Sequence, residues 1–150
     1  IAHRIETNIK QQIRNVVRAL IHFEPTQKET LIYALPLKVA NQSQISPHFG
    51  EAPYFAVIKV RVKDKKAIEQ KIIENPFTRV KHGKGILVAE FLNKYSIDEV
   101  ITKESFEGKG PFYVFSNAAV ENLQTEKEKI EEALEDIKNR LNALEKRDPV

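Results

Sequence analysis

The stretch from residue 45 to residue 60 constrains the fold most, because a polar turn in it leads directly into an uninterrupted strand. A Ser-Pro pair near its start is typical of turns, and Gly50 permits backbone angles or close approaches that other residues resist. Residues 55–62 then alternate as the residues of a β-strand do. The pattern predicts that His48, a metal-competent imidazole, lies on a loop beside a rigid sheet, where ligands can reach it.

Residues 46–52, Ser-Pro-His-Phe-Gly-Glu-Ala, followed by the aromatic pair Tyr54 and Phe55 and a strand, resemble a family signature. The family is the dinitrogenase iron–molybdenum cofactor binding domain, which includes the NifX-like and NifB C-terminal-like domains. A glycine-led helix at 83–92 and a strand at 97–102 resemble later segments of that family, as does the turn and helix that begin at Gly108. The resemblance covers about residues 30–141 and implies an α/β fold, a ribonuclease H-like three-layer α/β/α arrangement.

The resemblance also implies a cofactor site. It places the loop that holds His82 at the same end of the sheet as His48, so that the two imidazoles bracket one pocket. The implied cofactor-binding residues are His48, Phe49, Gly50 and His82, and the implied ligand is an iron–sulfur or iron–molybdenum cluster.

Composition limits the classes of function. The chain has 150 residues, of which 41% are apolar and 30% are charged, so one ordinary folded domain is expected. Its formal charge is only +3, with lysines interleaved with acids, and no nucleic-acid partner is predicted. No cysteine is present, which excludes disulfides and thiolate metal sites and leaves histidine and carboxylate as the strong side-chain ligands.

Nothing in the sequence has the length of an apolar membrane span, and no signal peptide is visible. We therefore expect a cytoplasmic protein. The chain begins with isoleucine and not methionine, so we also expect an upstream segment, through which alone a membrane could be involved.

The first 25 residues predict a helix followed by a strand. Apolar residues recur every three or four positions from Ile5 to Leu20, which forms one face of a helix. Residues 19–25 read as a strand in which His22 and Glu24 share a face, because side chains two apart point the same way. Pro25 ends this strand, since proline cannot donate a hydrogen bond to a ladder.

Ala2-His3-Arg-Ile-Glu6 together with Ile21-His22-Phe-Glu24-Pro25 resembles the end of the cytoplasmic domain of cation diffusion facilitator transporters. That resemblance implies a dimeric regulatory domain in which His3, His22 and Glu24 bind a divalent metal ion, zinc or iron. Two imidazoles and a carboxylate are a plausible ligand set for such an ion. The alternative is a surface hydrogen-bonded pair with no metal.

From residue 30 onward the sequence predicts a mixed sheet with covering helices. A hairpin is expected first, and the later alternation of strands with helices favours parallel pairing. Pro36 argues for a sheet edge or a bulge near the end of the first strand. The expected strands are 30–38, 54–62, 67–74, 97–102 and 119–124, with helices after Gly85 and from Pro111.

Residues 78–85 hold basic side chains and two glycines directly before a helix, a pattern that can bind an anion through backbone N–H groups. The alternative is a flexible solvated loop, and the pattern of a phosphate-binding loop is absent.

A long C-terminal helix is predicted, with Thr125 as its cap and Glu128 three residues later. Its apolar residues follow a heptad seam: Ile130, Leu134, Ile137, Leu141 and Leu144. Either this helix covers the sheet, or its end extends beyond the domain and pairs with another subunit.

An enzymatic function is not expected. Nucleases with ribonuclease H-like folds need several carboxylates around two metal ions, and no spacing forces Asp64, Asp98, Glu104 and Glu107 together. The motifs of serine, zinc and cysteine hydrolases are also absent. No catalytic residue is therefore assigned.

Our main hypothesis at this point is a metal-binding regulatory module of a cation efflux transporter, homodimeric, fused to a NifX-like domain. Its parts would be an efflux-domain end at 1–26, the NifX-like domain at 30–141 and a tail at 142–150. The alternatives are a stand-alone carrier of an iron–sulfur or iron–molybdenum cluster, and a structural dimerisation module without a ligand.

Overall fold

A computed structural model describes residues 28–40 and 43–147. The described part of the chain contains five strands and three helices. In chain order they are β1 (Thr30–Leu37), β2 (Tyr54–Arg61), β3 (Lys66–Glu74), α1 (Lys84–Asn93), β4 (Glu99–Thr102), α2 (Gly110–Asn117), β5 (Glu121–Gln124) and α3 (Ile130–Arg147). The helix and strand expected before residue 26, and with them His3, His22 and Glu24, lie outside the described residues.

The strands form one sheet in the order β3-β2-β1-β4-β5. β1 pairs antiparallel with β2, and β2 pairs antiparallel with β3, as the predicted hairpin requires. β4 pairs parallel with β1, and β5 pairs parallel with β4, because a helix separates each of these strands from the one before it. The predicted mixed sheet is confirmed.

Helices cover both faces of the sheet, and alternate strand residues supply two separate cores. On one face Ala34, Phe55 and Val100 pack with residues of α1 and α2. On the other face Leu35, Ile58 and Ile101 pack with α3. The predicted three-layer α/β/α arrangement is therefore confirmed.

Pro36 does not mark a sheet edge, and that prediction was wrong. β1 is the central strand, and Pro36 is buried within it opposite Phe55 of β2. Pro36 lies beyond Ala34, the last β1 residue in register with β4. The proline is therefore compatible with a central strand, because no pairing with β4 extends as far as its missing N–H.

The C-terminal helix begins later than predicted. Thr125 does not cap it; its Oγ1 accepts from the N–H of Lys127 at 3.1 Å, which closes a local turn, and α3 starts at Ile130. Ile130 and Ile137 are buried against the sheet, whereas Leu144 is 42% exposed. The covering-helix interpretation thus holds as far as Leu141, which packs against the same core.

Candidate functional site

Four connections of the described chain meet at one edge of the sheet, where the parallel strands have their carboxyl ends. They are residues 38–53 after β1, residues 75–83 after β3, residues 103–109 after β4 and residues 125–129 after β5. Ligands of open α/β sheets commonly bind outside this edge. The predicted site residues of the described chain all belong to the first two of these connections.

Phe49 fixes the first connection to the core. Its side chain is 2% exposed and meets Phe55, Phe106 and Phe115 edge to face, with ring centroids 5.5, 4.7 and 5.8 Å away. Such aromatic contacts add about 0.5–1.5 kcal/mol per pair to the burial of the rings. The preceding residue, His48, is exposed. An accessible imidazole thus stands next to one of the most buried side chains of the domain.

Local hydrogen bonds hold the backbone on either side of His48. The Ser46 hydroxyl accepts from the His48 N–H at 3.1 Å and donates to the His48 carbonyl at 3.0 Å. The Phe49 N–H donates to Oε1 of Glu104 at 3.3 Å, which connects this loop to the one after β4. Glu104 was considered in the sequence only as a possible catalytic carboxylate, because nothing local reveals its partner.

Asn75 joins the first two connections. This residue is 3% exposed, and its Nδ2 donates to the carbonyls of Gly50 at 3.0 Å and Ala52 at 2.8 Å. Its Oδ1 accepts from the Phe77 N–H at 2.9 Å. In the sequence the Asn-Pro pair indicates only the end of a strand, and its role in holding the His48 loop was missed.

Gly50 lets the His48 loop approach the start of α1. A Cβ at Gly50 would lie 3.4 Å from the Cγ and Cδ of Lys84 and 3.6 Å from the N of Gly85. A lysine stem and the first N–H groups of a helix therefore border the loop. Gly83 precedes the helix with φ of 70°, a left-handed conformation that glycine adopts without strain.

The starts of α1 and α2 are packed against each other through two glycines. A Cβ at Gly85 would lie 2.8 Å from the Cγ of Pro111, and one at Gly110 would lie 2.5 Å from the Cγ1 of Ile86. Neither helix has an acidic residue in its first turn. The positive ends of two helix dipoles are thus placed side by side, which favours an anionic ligand.

His82 lies in the 75–83 connection, and its side chain is exposed. It comes two residues before Lys84, whose stem borders Gly50, so the two histidine-bearing loops are neighbours. Whether His48 and His82 share one pocket stays a prediction. In the described part of the chain, no three His, Asp or Glu side chains are grouped so as to hold a metal ion.

Two of the other carboxylates considered in the sequence, Asp64 and Asp98, lie at the opposite edge, whereas Glu107 belongs to the 103–109 connection, as Glu104 does. Asp64 is in the β2–β3 turn and accepts from Arg61 at 3.0 Å. Asp98 precedes β4, pairs with Lys28 and accepts from the Ile32 N–H at 2.8 Å. They are thus separated by the length of the sheet from Glu104, so these three carboxylates form no nuclease-like cluster.

A buried carboxylate and a small cleft lie beneath α3, away from the histidine loops. Glu99 of β4 is 7% exposed, and burial raises its pKa to about 7, with Arg140 opposing the shift and Glu121 and Asp98 adding to it. A cleft of about 150 Å³ opens nearby between β5 and α3. Its lining includes Ile101 and Ile137 of the α3-side core, so it lies on the face opposite Phe49.

A comparison with known protein families shows which family this domain belongs to. The sequence profile described as dinitrogenase iron-molybdenum cofactor matches residues 32–140, well over half of the chain. The chain belongs to this dinitrogenase iron–molybdenum cofactor family. The resemblance noted in the sequence is therefore confirmed for the NifX-like part. The match begins after residue 26, and it does not show the cation efflux part.

Two solved structures share the fold of this NifX-like domain. The apo form of the orange protein from Desulfovibrio gigas superposes with a TM-score of 0.59 at 19% identity, over 73% of this chain and 88% of that one. The protein PH0822 superposes with a TM-score of 0.58 at 17% identity, over 70% of this chain and 87% of that one. A search of curated protein sequences gives no match. Among the described residues, no helix has both the length and the apolar character needed to cross a bilayer.

Proposed function

We propose that this NifX-like domain is a non-catalytic carrier that binds an iron–molybdenum or iron–sulfur cluster reversibly at the His48 edge. The proposal rests on one observation: Phe49 is buried and the adjacent His48 is exposed, on a loop that hydrogen bonds hold on both sides of the histidine. Membership of the dinitrogenase iron–molybdenum cofactor family supports the class of cargo.

The ligand chemistry fits a carrier better than a permanent holder. The chain has neither cysteine nor methionine, so sulfur ligation of a cluster by its own side chains is excluded. An imidazole can occupy one open coordination position, and the first turns of α1 and α2, with Lys84, can offset the negative charge of the cargo. A single imidazole ligand, together with the positive helix ends and Lys84, gives binding that a partner protein with thiolate ligands can reverse.

Three variants test the proposal and the extent of the site. Purified protein is mixed anaerobically with isolated iron–molybdenum cofactor, and in parallel with ferrous iron and sulfide, and bound metal is measured after gel filtration. His48→Ala should lose most of the bound metal, whereas Lys63→Ala in the β2–β3 turn at the far edge should retain it. Equal retention by wild type, His48→Ala and Lys63→Ala would contradict a site at His48. His82→Ala, measured in the same way, determines whether the second loop contributes.

The transporter hypothesis stays a prediction that rests on His3, His22 and Glu24. Those residues precede the segment that the family profile matches. Zinc and ferrous iron can be titrated by calorimetry into wild type and His22→Ala. Equal heats from both proteins would eliminate that metal site without affecting the carrier proposal.

A further inference from the structure

Three large apolar side chains are exposed together where α1 and α2 begin. They are those of Ile86, Phe112 and Tyr113, which are exposed by 41, 40 and 59%, respectively. Among the described residues, Phe112 and Tyr113 are the only aromatic residues that are exposed. Their rings meet edge to face, with centroids 5.4 Å apart. These three residues are called the apolar patch below.

The packing of the two helix starts makes the apolar patch continuous. A Cβ at Gly110 would lie 2.5 Å from the Cγ1 of Ile86, so Ile86 lies directly against the first residue of α2. Tyr113 is three positions after Gly110 and therefore lies on the same side of α2. Phe115 fixes this helix to the core, since its ring is 1% exposed and stacks on that of Phe106. A partner would therefore meet these side chains on a backbone that is already fixed.

The stability of the core does not account for the two exposed rings. Phe115 is part of the core on the α1 and α2 face, and Val114 packs against it, but neither Phe112 nor Tyr113 belongs to that core. A group of exposed apolar side chains is typical of an interaction site, and aromatic residues are enriched at the centres of protein interfaces. The apolar patch is therefore better explained by binding than by folding.

The two segments that form the helix starts carry charges of one sign. Residues 75–89 and 108–120 contain no Asp or Glu, and their cations are Arg79, Lys81, Lys84 and Lys109. None of these cations forms an ion pair with another described residue. The positive ends of both helix dipoles add to the same field. A complementary surface therefore carries carboxylates around an apolar centre.

We propose that the apolar patch is the docking surface for a protein partner that presents apolar side chains surrounded by Asp and Glu. The aliphatic Ile86 and a total charge of only +3 favour an acidic protein over a single-stranded nucleic acid, which would stack its bases on aromatic rings along a basic groove. The start of α1 also borders Gly50 of the His48 loop. A docked partner is thus placed to donate or accept the cluster, a role that rests on the proposed function.

Two synthetic peptides test the docking surface with a defined probe. Each peptide is an amphipathic helix with leucine on one face, and its other face carries glutamate in one peptide and lysine in the other. Both are titrated into the isotope-labelled whole chain at low ionic strength and followed by NMR. The glutamate peptide should bind about tenfold more tightly, with chemical-shift changes concentrated in residues 84–90 and 109–117. Equal affinities, or changes concentrated elsewhere, would overturn the proposal.

Variants with matched controls identify the side chains that bind. Phe112→Ala and Tyr113→Ser should each weaken binding of the glutamate peptide about tenfold, whereas Ile72→Ala, a 40% exposed position on β3, should not. Lys109→Glu should also weaken binding, and Lys63→Glu at the far edge of the sheet should not. The two ring variants keep the test valid if one of them perturbs α2. Unchanged binding by both would overturn the proposal.

Docking and cargo binding can be measured separately. Tyr113→Ser should retain bound metal as wild type does in the gel-filtration assay, and His48→Ala should bind the glutamate peptide as wild type does. If wild type retains no metal, the carrier proposal fails, and the peptide titration still decides whether the patch is a docking surface. Binding of polyuridylic acid, or self-association of the chain, that Tyr113→Ser abolishes would assign the patch to a nucleic acid or to a second copy and overturn the proposal.

Discussion

The rings of Phe49 and Phe106, which come from the loops after β1 and β4, meet edge to face with centroids 4.7 Å apart. Both side chains are almost completely buried. The loop that presents His48 is therefore part of the core on the α1 and α2 face, and its position depends on the packing of that core.

Phe49→Ala should lower the free energy of unfolding by about 3–5 kcal/mol, because it leaves a cavity among three other rings. Urea denaturation followed by circular dichroism measures the change. Phe112→Ala is the matched control, since Phe112 is 40% exposed and its loss should cost about 1 kcal/mol. Equal losses for the two variants would contradict the role assigned to Phe49.

Asn75→Ala should release the His48 loop, because the carbonyls of Gly50 and Ala52 lose their donor. The expected cost is about 1–3 kcal/mol in unfolding free energy. Hydrogen exchange should increase in residues 46–53 more than in α3. Asn117→Ala, an exposed position at the end of α2, serves as the control and should change neither quantity.

Gly110→Ala should destabilise the fold by about 1–3 kcal/mol, because its Cβ would lie 2.5 Å from the Cγ1 of Ile86. Adding Ile86→Ala should recover most of this loss, since Ile86 is 41% exposed and its truncation is inexpensive. A double-mutant cycle from thermal or urea unfolding measures the coupling between the two sites. Purely additive effects would contradict direct contact between the two helix starts.

The stability of the domain should fall as pH rises from about 4.5 to about 7. Burial raises the pKa of Glu99 to about 7, so between its unfolded and folded pKa values the folded state binds the extra proton. Raising the pH ionises the Glu99 carboxyl while it is buried in the folded state, which lowers the free energy of unfolding by an amount on the order of 3 kcal/mol. Above pH 7 this carboxyl causes no further loss of stability.

Unfolding free energies at pH 5 and pH 8 check this prediction. At pH 8, Glu99→Gln should have a higher unfolding free energy than wild type. The unfolding free energy of Glu99→Gln should also differ much less between pH 5 and pH 8 than that of wild type. Glu90→Gln, an exposed position on α1, should retain the wild-type dependence. A wild-type slope that survives in Glu99→Gln would show that other groups cause it.

The sheet could be predicted from local patterns, because period-two alternation and turn residues mark its strands. The order of the strands has no such local mark. Pro36 suggested an edge, yet it lies in the central strand, where pairing with β4 ends before reaching it. Proline excludes a hydrogen bond at one position, and only the tertiary structure shows whether a bond is needed there.

The candidate site could be predicted only in part, for a related reason. His48 is visible because an imidazole after a Ser-Pro turn is conspicuous in the sequence. The contacts that hold it come from Asn75, 27 positions later, and Glu104, 56 positions later. Contacts at such separations leave no periodic signal. The start of α3 was misplaced by a similar ambiguity, since Thr125 can cap either a helix or a single turn.

The hydrogen bonds and packing around the His48 loop have a consequence for the entropy of binding. A loop that Phe49 and Asn75 already hold in place loses little conformational freedom when it captures a ligand. Most of the free energy of the imidazole contact would therefore remain as affinity, and association would need no coupled folding step.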